Sequence, residues 1–176
     1  SPVARCYLGR GEDRAAGGGI ERHMAEVVKV FKAVRGAAVD AGIKIAIENH
    51  AGDMQSWELV SLIEEAGRDY VGAMIDPGNA VWALEDPIQH LEVLGPYTLC
   101  SSVRDSAIWE SPNGAFVQWT AMGEGQVDWK TYFTRWEALC PDVPVNLELI
   151  SGFAREFTYL KPEFWKPWPK ARARDF

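Results

Sequence analysis

Short apolar runs alternate with longer amphipathic segments along most of the chain, and each run ends in glycine or polar residues. Five such runs read as strands: Pro2–Leu8 (PVARCYL), Ile43–Glu48 (IKIAIE), Tyr70–Ile75 (YVGAMI), Tyr97–Val103 (YTLCSSV) and Val145–Ile150 (VNLELI). Short, nearly continuous apolar runs are what strands of a parallel sheet look like. Between the first two, Ile20, Met24, Val27, Val28, Phe31, Val34 and Val39 recur at helical spacing, and Gly42 follows as a stop signal. A second helix is expected from Ser56, read as its N-cap, to Gly67. Shorter helices are expected over Asp86–Leu94, with Pro87 at the first helical position, and over Asp128–Leu139 before Pro141. Strand and helix alternate at intervals of about 30 residues, which predicts βα units around a parallel sheet, an α/β fold.

Two stretches break that rhythm. Ser106–Val127 reads as a long loop carrying Trp109, Pro112 and Trp119, and loops of that length in compact domains are usually functional. Ser151–Phe176, rich in proline and tryptophan, reads as an irregular arm followed by the start of a helix over Lys170–Phe176.

Composition narrows the function classes. The 176 residues carry 25 Asp and Glu against 18 Lys and Arg, a net charge of −7. An acidic chain lacks the clustered cations that phosphate backbones demand, so no nucleic acid is expected as a partner. No apolar stretch approaches the roughly 18 residues of a membrane span, so no membrane partner is expected. Cys6, Cys100 and Cys140 are far apart and odd in number, which argues against a disulfide framework or zinc cluster and points to a reducing, cytoplasmic setting.

Candidate chemistry lies where the strands stop. Glu48-Asn49-His50 ends the second, Asp76-Pro77-Gly78-Asn79 the third and Arg104-Asp105 the fourth, while Glu148 lies in the fifth. In parallel α/β folds ligands bind at the carboxyl ends of the strands. Three convergent carboxylates repel one another unless a cation sits among them. Each also has a plain alternative reading as a helix cap or surface charge, which is strongest for Asp76 in its turn-forming Asp-Pro-Gly-Asn. His23 and His90 read as solvated or half-buried helix residues, and the tryptophans equally as satellite core or as a substrate platform.

Five of these segments, IAIENH (45–50), MIDPGNA (74–80), SSVRDS (101–106), GEGQVDW (123–129) and NLELISG (146–152), together resemble the sugar phosphate isomerase/epimerase family. These are xylose isomerase-like (β/α)8 barrels related to endonuclease IV. The resemblance implies a small sugar or polyol-like substrate and one divalent metal (Mn²⁺, Mg²⁺ or Zn²⁺) held by Glu, Asp, His and Glu. Those positions fall on Glu48, Asp76, Ser102 and Glu148, so a serine stands where the imidazole ligand belongs and metal binding is expected to be weak. By the same resemblance Glu48 and Glu148 are the catalytic, proton-transferring carboxylates of an enediolate mechanism. His50, Asn79, Arg104, Trp119 and Glu124 are then the substrate-binding residues. An isomerase or epimerase, or a related lyase, is expected; the alternative is a non-catalytic half-barrel or carbohydrate-binding module with a degenerate metal site. An apurinic endonuclease would need more histidines and a basic face. Since a closed barrel takes about 250 residues, the whole chain, 1–176, reads as one partial barrel domain of βα units four to eight. It is expected to be completed by a second chain or by self-association.

Overall fold

The computed structural model describes residues 2–171. β1 (Val3–Tyr7), β2 (Lys44–Glu48), β3 (Val71–Ile75) and β4 (Thr98–Ser101) form one parallel sheet in the order β1-β2-β3-β4. These are the first four expected strands, each within two residues at either end. Tyr7 lies opposite Glu48, Glu48 opposite Met74 and Met74 opposite Cys100. In a parallel ladder, opposed residues share a face, so this row crosses one face of the sheet near its carboxyl end.

Six helices accompany the sheet: α1 (Gly11–Ala15), α2 (Gly19–Asp40), α3 (Ser56–Ala66), α4 (Pro77–Ala80), α5 (Pro87–Leu94) and α6 (Trp129–Leu139). The short α1 and α4 follow the carboxyl ends of β1 and β3, and the other four cover the opposite face. Ile47, Val71, Ala73 and Ile75 of the sheet pack with Ile20, Val28 and Phe31 of α2, Leu59, Leu62 and Ile63 of α3, Leu91 and Leu94 of α5 and Tyr132 and Trp136 of α6. Of the stripe read from the spacing of α2, Ile20, Val28 and Phe31 are buried and Met24 and Val27 half-buried, whereas Val34 and Val39 near its end are exposed. Gly42 ends that helix with φ of 65°, a left-handed conformation that glycine adopts without a Cβ penalty, and Ile43 N–H closes back on Ala38 O at 2.9 Å. For α3 the N-cap is Gln55, not Ser56: Glu58 Oε2 accepts from Gln55 N–H at 2.8 Å, the return half of a capping box. Asp86 and Asp128 cap α5 and α6 as expected.

Beyond β4 the sequence reading holds for α6 but fails on either side of it. Ser106–Val127 is not a loop, because β5 (Asp105–Ser111) and β6 (Gly114–Thr120) form an antiparallel hairpin through it. The tail supplies β7 (Gly152–Phe157), which pairs with β6 to give a second sheet, β5-β6-β7. A Cβ at Gly114 would lie 2.1 Å from Phe157 O, so the chain crosses here only because position 114 is glycine. Trp82, Val117 and Phe157 bury one face of this sheet in a small second core. Val145–Ile150, in turn, is not a strand. It makes one parallel bridge, Val103 to Leu147, and leaves Leu147, Leu149 and Ile150 exposed. The expected helix over Lys170–Phe176 lies almost wholly outside the described residues.

His90 on α5 also departs from expectation. It is fully buried and neither ring nitrogen has a hydrogen-bond partner among the described residues. Burial pushes its pKa down to about 3, from an ordinary value of 6.5. The unfolded chain therefore binds a proton here that the folded one refuses, and stability falls as pH drops from about 6.5 towards 3. The expected slope is roughly 1.4 kcal/mol per pH unit from this group alone. His90→Phe, which removes the orphaned nitrogens, should keep the melting temperature near pH 7 and lose that part of the acid slope in paired denaturation curves. An unchanged slope would show that His90 does not titrate with unfolding.

Candidate functional site

Glu48, the last residue of β2, is completely buried, with its carboxylate facing the sheet's open side. Arg5 of β1 grips it, donating from Nε to Oε2 at 2.6 Å and again from Nη2. Asp76 follows β3 and is also completely buried. Its Oδ1 accepts from Gly78 N–H at 2.9 Å and Asn79 N–H at 3.3 Å, capping the short α4. Its Oδ2 accepts from Asn79 Nδ2 at 2.7 Å and pairs with Arg104 Nη2 at 2.9 Å. Asp76 thus caps a helix, as its turn-forming sequence suggested, and also pairs with the arginine at the end of the next strand. Burial pushes this carboxyl up from its ordinary value, with Arg104 pulling it down. All four of its partners are donors, an arrangement that suits the carboxylate and leaves an acid proton without an acceptor.

Asn79 is the hub of the site. Its Nδ2 donates to Asp76 and, at 3.3 Å, to Glu48 Oε1. Its Oδ1 accepts from Arg104 Nη2 at 3.1 Å and from Trp119 Nε1 at 3.0 Å. Both donors to Oδ1 are obligate N–H groups, which sets the orientation of the amide. Trp119 comes from β6 and lies over the Arg104 guanidinium at 4.1 Å while stacking on Trp82 at 4.4 Å. The hairpin that sequence reasoning missed is thus what roofs the strand ends. His50 stacks on Tyr7 at 4.2 Å, and its Nδ1 lies 2.8 Å from Gly9 O. A proton on Nδ1 leaves Nε2 as the lone-pair nitrogen. Burial lowers the pKa of this imidazole, against the pull of the Gly9 carbonyl.

These groups surround a cavity of about 380 Å³. Glu48, His50, Arg104, Trp119 and Glu148, all candidates from the sequence, line it. Asn79 and Asp76 lie beneath it. Glu124 stands apart, on an exposed turn outside the lining, where Gly123, Val127 and Trp129 all donate to Asp105. Arg5, Arg10, Glu12, Trp82, Phe153 and Arg155 also line the cavity and were not anticipated. Arg5 was hidden because it sits in mid-strand, where a charge gives no strand-end signal. Arg155 and Phe153 lay in what read as an irregular arm. Asp53 was passed over as well: it collects N–H bonds from Gly9, His50 and Met54, and burial pushes its carboxyl up to about 7.

The four positions implied as metal ligands do not assemble into a ligand set. Ser102 Oγ is bonded to Glu148 Oε2 at 3.0 Å, Asp76 to Arg104, and Glu48 to Arg5. Among the described residues no three His, Cys, Asp or Glu side chains converge in a way that could hold a metal ion. The donor set does not fit a divalent ion.

A parallel sheet with helices on one face and a charged, tryptophan-roofed cavity at its carboxyl strand ends defines an arc of a (β/α) barrel. The sequence profile of the xylose isomerase-like TIM barrels matches residues 5–158, and the chain belongs to that family. It is 30% identical over 131 residues to the uncharacterized protein YihM of Escherichia coli (strain K12), an alignment spanning 74% of this chain and 39% of that one. It superposes on a xylose isomerase domain protein from Planctomyces limnophilus with a TM-score of 0.66 and 22% identity, over 84% of this chain and 52% of that one. The zinc-bound IolI protein gives 0.64 and 18%, over 94% of this chain and 56% of its own. A D-psicose 3-epimerase crystallised with D-fructose gives 0.58 and 16%, over 93% and 54%. The chain thus spans about half the length of these solved relatives and less of the curated one. No described helix is long and apolar enough to cross a membrane.

Proposed function

We propose that the protein is an isomerase or epimerase of a small polyhydroxylated carbonyl compound, acting by proton transfer between carbon and a carboxylate. The observation that carries this reading is that Glu48 and Glu148, from different parts of the chain, line one cavity walled by the stacked pair Trp82 and Trp119. Aromatic faces pack against the C–H faces of sugars, and the polar groups at the strand ends suit hydroxyls. One carboxylate removes the proton alpha to the carbonyl. The C–H electron pair becomes the new C=C bond, and the carbonyl oxygen becomes the enediolate oxyanion. In epimerisation the oxyanion re-forms its carbonyl as the C=C pair takes a proton from a carboxylic acid on the opposite face of the same carbon. In isomerisation the neighbouring hydroxyl passes its proton to the oxyanion and becomes the new carbonyl, while the C=C pair takes the acid's proton at the former carbonyl carbon. In this reading His50 Nε2 and Arg104, which line the same cavity, hold substrate oxygens.

The apolar side chains left exposed on α2 (Val30, Val34, Val39) and over 145–150 support a further reading, that additional βα units cover both flanks of the arc. The test uses the full-length protein in D₂O with a panel of aldoses, ketoses and cyclic polyol ketones, followed by proton NMR. Enzyme-dependent loss of an alpha-proton signal is expected for at least one compound. Binding without exchange throughout the panel would replace this reading with that of a carbohydrate-binding module.

A further inference from the structure

We infer that the guanidinium groups of Arg5 and Arg104 stand in this pocket where a divalent ion would otherwise balance the carboxylates, so that the site binds its ligand's oxygens without a metal. The argument begins with the acceptors. Asp76 receives four donors on its two oxygens. Glu48 receives two from Arg5 and one from Asn79. Glu148 receives one from Ser102 Oγ at 3.0 Å and one from Ile150 N–H at 3.3 Å. A hard cation needs several oxygen lone pairs converging on one point, and here they are already directed at fixed donors. An incoming ion would also meet two positive charges.

Arg5 could yield, since its side chain is 44% exposed. Arg104 could not. Its side chain is 3% exposed, sits under the Trp119 ring at 4.1 Å, and shares its Nη2 between Asp76 and Asn79. Swinging it out would leave a fully buried carboxylate without its counter-charge, a costly state. The same two arginines keep donors for a ligand. Nη1 of Arg5 has no hydrogen-bond partner among the described residues, and Nη1 of Arg104 has only a long bond of 3.4 Å to Ile150 O. Both residues line the cavity. A preorganised guanidinium in a water-poor site stabilises negative charge as it develops on a substrate oxygen, which is the service a Lewis-acidic ion would otherwise give.

The test is titration of MnCl₂ and ZnCl₂ into chelator-stripped, full-length protein, read by calorimetry and by melting temperature. The wild type is expected to show no saturable site and no shift in melting temperature. Ser102→His alone is expected to behave in the same way, because Arg104 still holds Asp76. In Arg104→Gln, and more so in Ser102→His/Arg104→Gln, the freed carboxylates should take up the ion and raise the melting temperature by about 5–10 °C at a hundredfold excess over Kd. Arg104→Lys, which keeps the charge, should not. One saturable equivalent in the wild type that disappears in Asp76→Asn would overturn the inference. This holds even if the Arg104 variants fail to fold, since the wild-type titration decides alone. These readouts follow the ion and not the reaction, so an absence of proton exchange counts against the proposed activity and leaves this inference standing.

Discussion

In the Glu48→Gln variant, solvent exchange of the substrate's alpha-proton is expected to fall by about 10²- to 10⁴-fold, the usual contribution of a positioned general acid–base group. An amide oxygen can still accept from Arg5 or Asn79, so much of the local geometry survives, but an amide cannot take up a proton at working pH. The amide N–H₂ will also face a donor wherever Glu48 now accepts, from Arg5 on one oxygen and Asn79 on the other. Some loss of stability is therefore expected alongside the loss of exchange. The two are separated by measuring exchange well below the variant's own melting temperature. Exchange within about threefold of wild type in folded Glu48→Gln would remove Glu48 from proton transfer and leave Glu148 to be tested alone.

The largest effect on stability is expected at Arg14, far from the reaction. Its guanidinium is buried and grips Glu58 with two bonds, Nη1 to Oε2 at 2.6 Å and Nη2 to Oε1 at 2.9 Å. Nη1 also donates to Asp53 O at 3.0 Å, Nε donates to Pro167 O at 2.8 Å, and Trp168 lies against the guanidinium at 3.8 Å. One side chain therefore ties α1 to the start of α3 and to the tail. Arg14→Met should cost about 3–5 kcal/mol, because it strands a buried carboxylate, or roughly 6–20 °C in melting temperature for a chain of this size. Arg14→Met/Glu58→Gln should recover a good part of that, since glutamine keeps the capping acceptor without the charge. A double variant no more stable than Arg14→Met would show that the loss comes from the contacts to Pro167 and Trp168, not from the unpaired charge.

The two halves of the molecule differ in how they could be read. In β1 to β4 and in α2, α3, α5 and α6, local pattern and tertiary requirement largely agree: a buried strand needs an apolar run, and a helix on one face of a sheet needs one apolar stripe. Residues 105–120 carried a contrary signal that the βα rhythm masked. Pro112-Asn113-Gly114 is turn chemistry, and Ala115, Val117 and Trp119 alternate on one side of it as a half-buried strand would. Val145–Ile150 misled in the opposite direction. Its composition is that of a buried strand, yet among the described residues its only β-bridge is to Val103, since strand formation depends on a partner and not on propensity alone.

The same division runs through the site. Glu48, His50, Asp76, Arg104 and Glu148 were visible in the sequence, because strand-end position follows directly from an apolar run that stops at a polar residue. That much, together with the α/β class and the family, local order along the chain determined. Which charge meets which was decided only by tertiary structure. Arg5 reaches Glu48 across 43 residues of sequence, and Arg104 and Trp119 reach Asn79 across 25 and 40. Such pairings depend on strand register and on the hairpin folding over the strand ends. Coulomb energy depends on distance in space and on burial, neither of which a linear pattern records. The sequence placed three carboxylates at or near strand ends; the fold pairs two of them, Glu48 and Asp76, with Arg5 and Arg104.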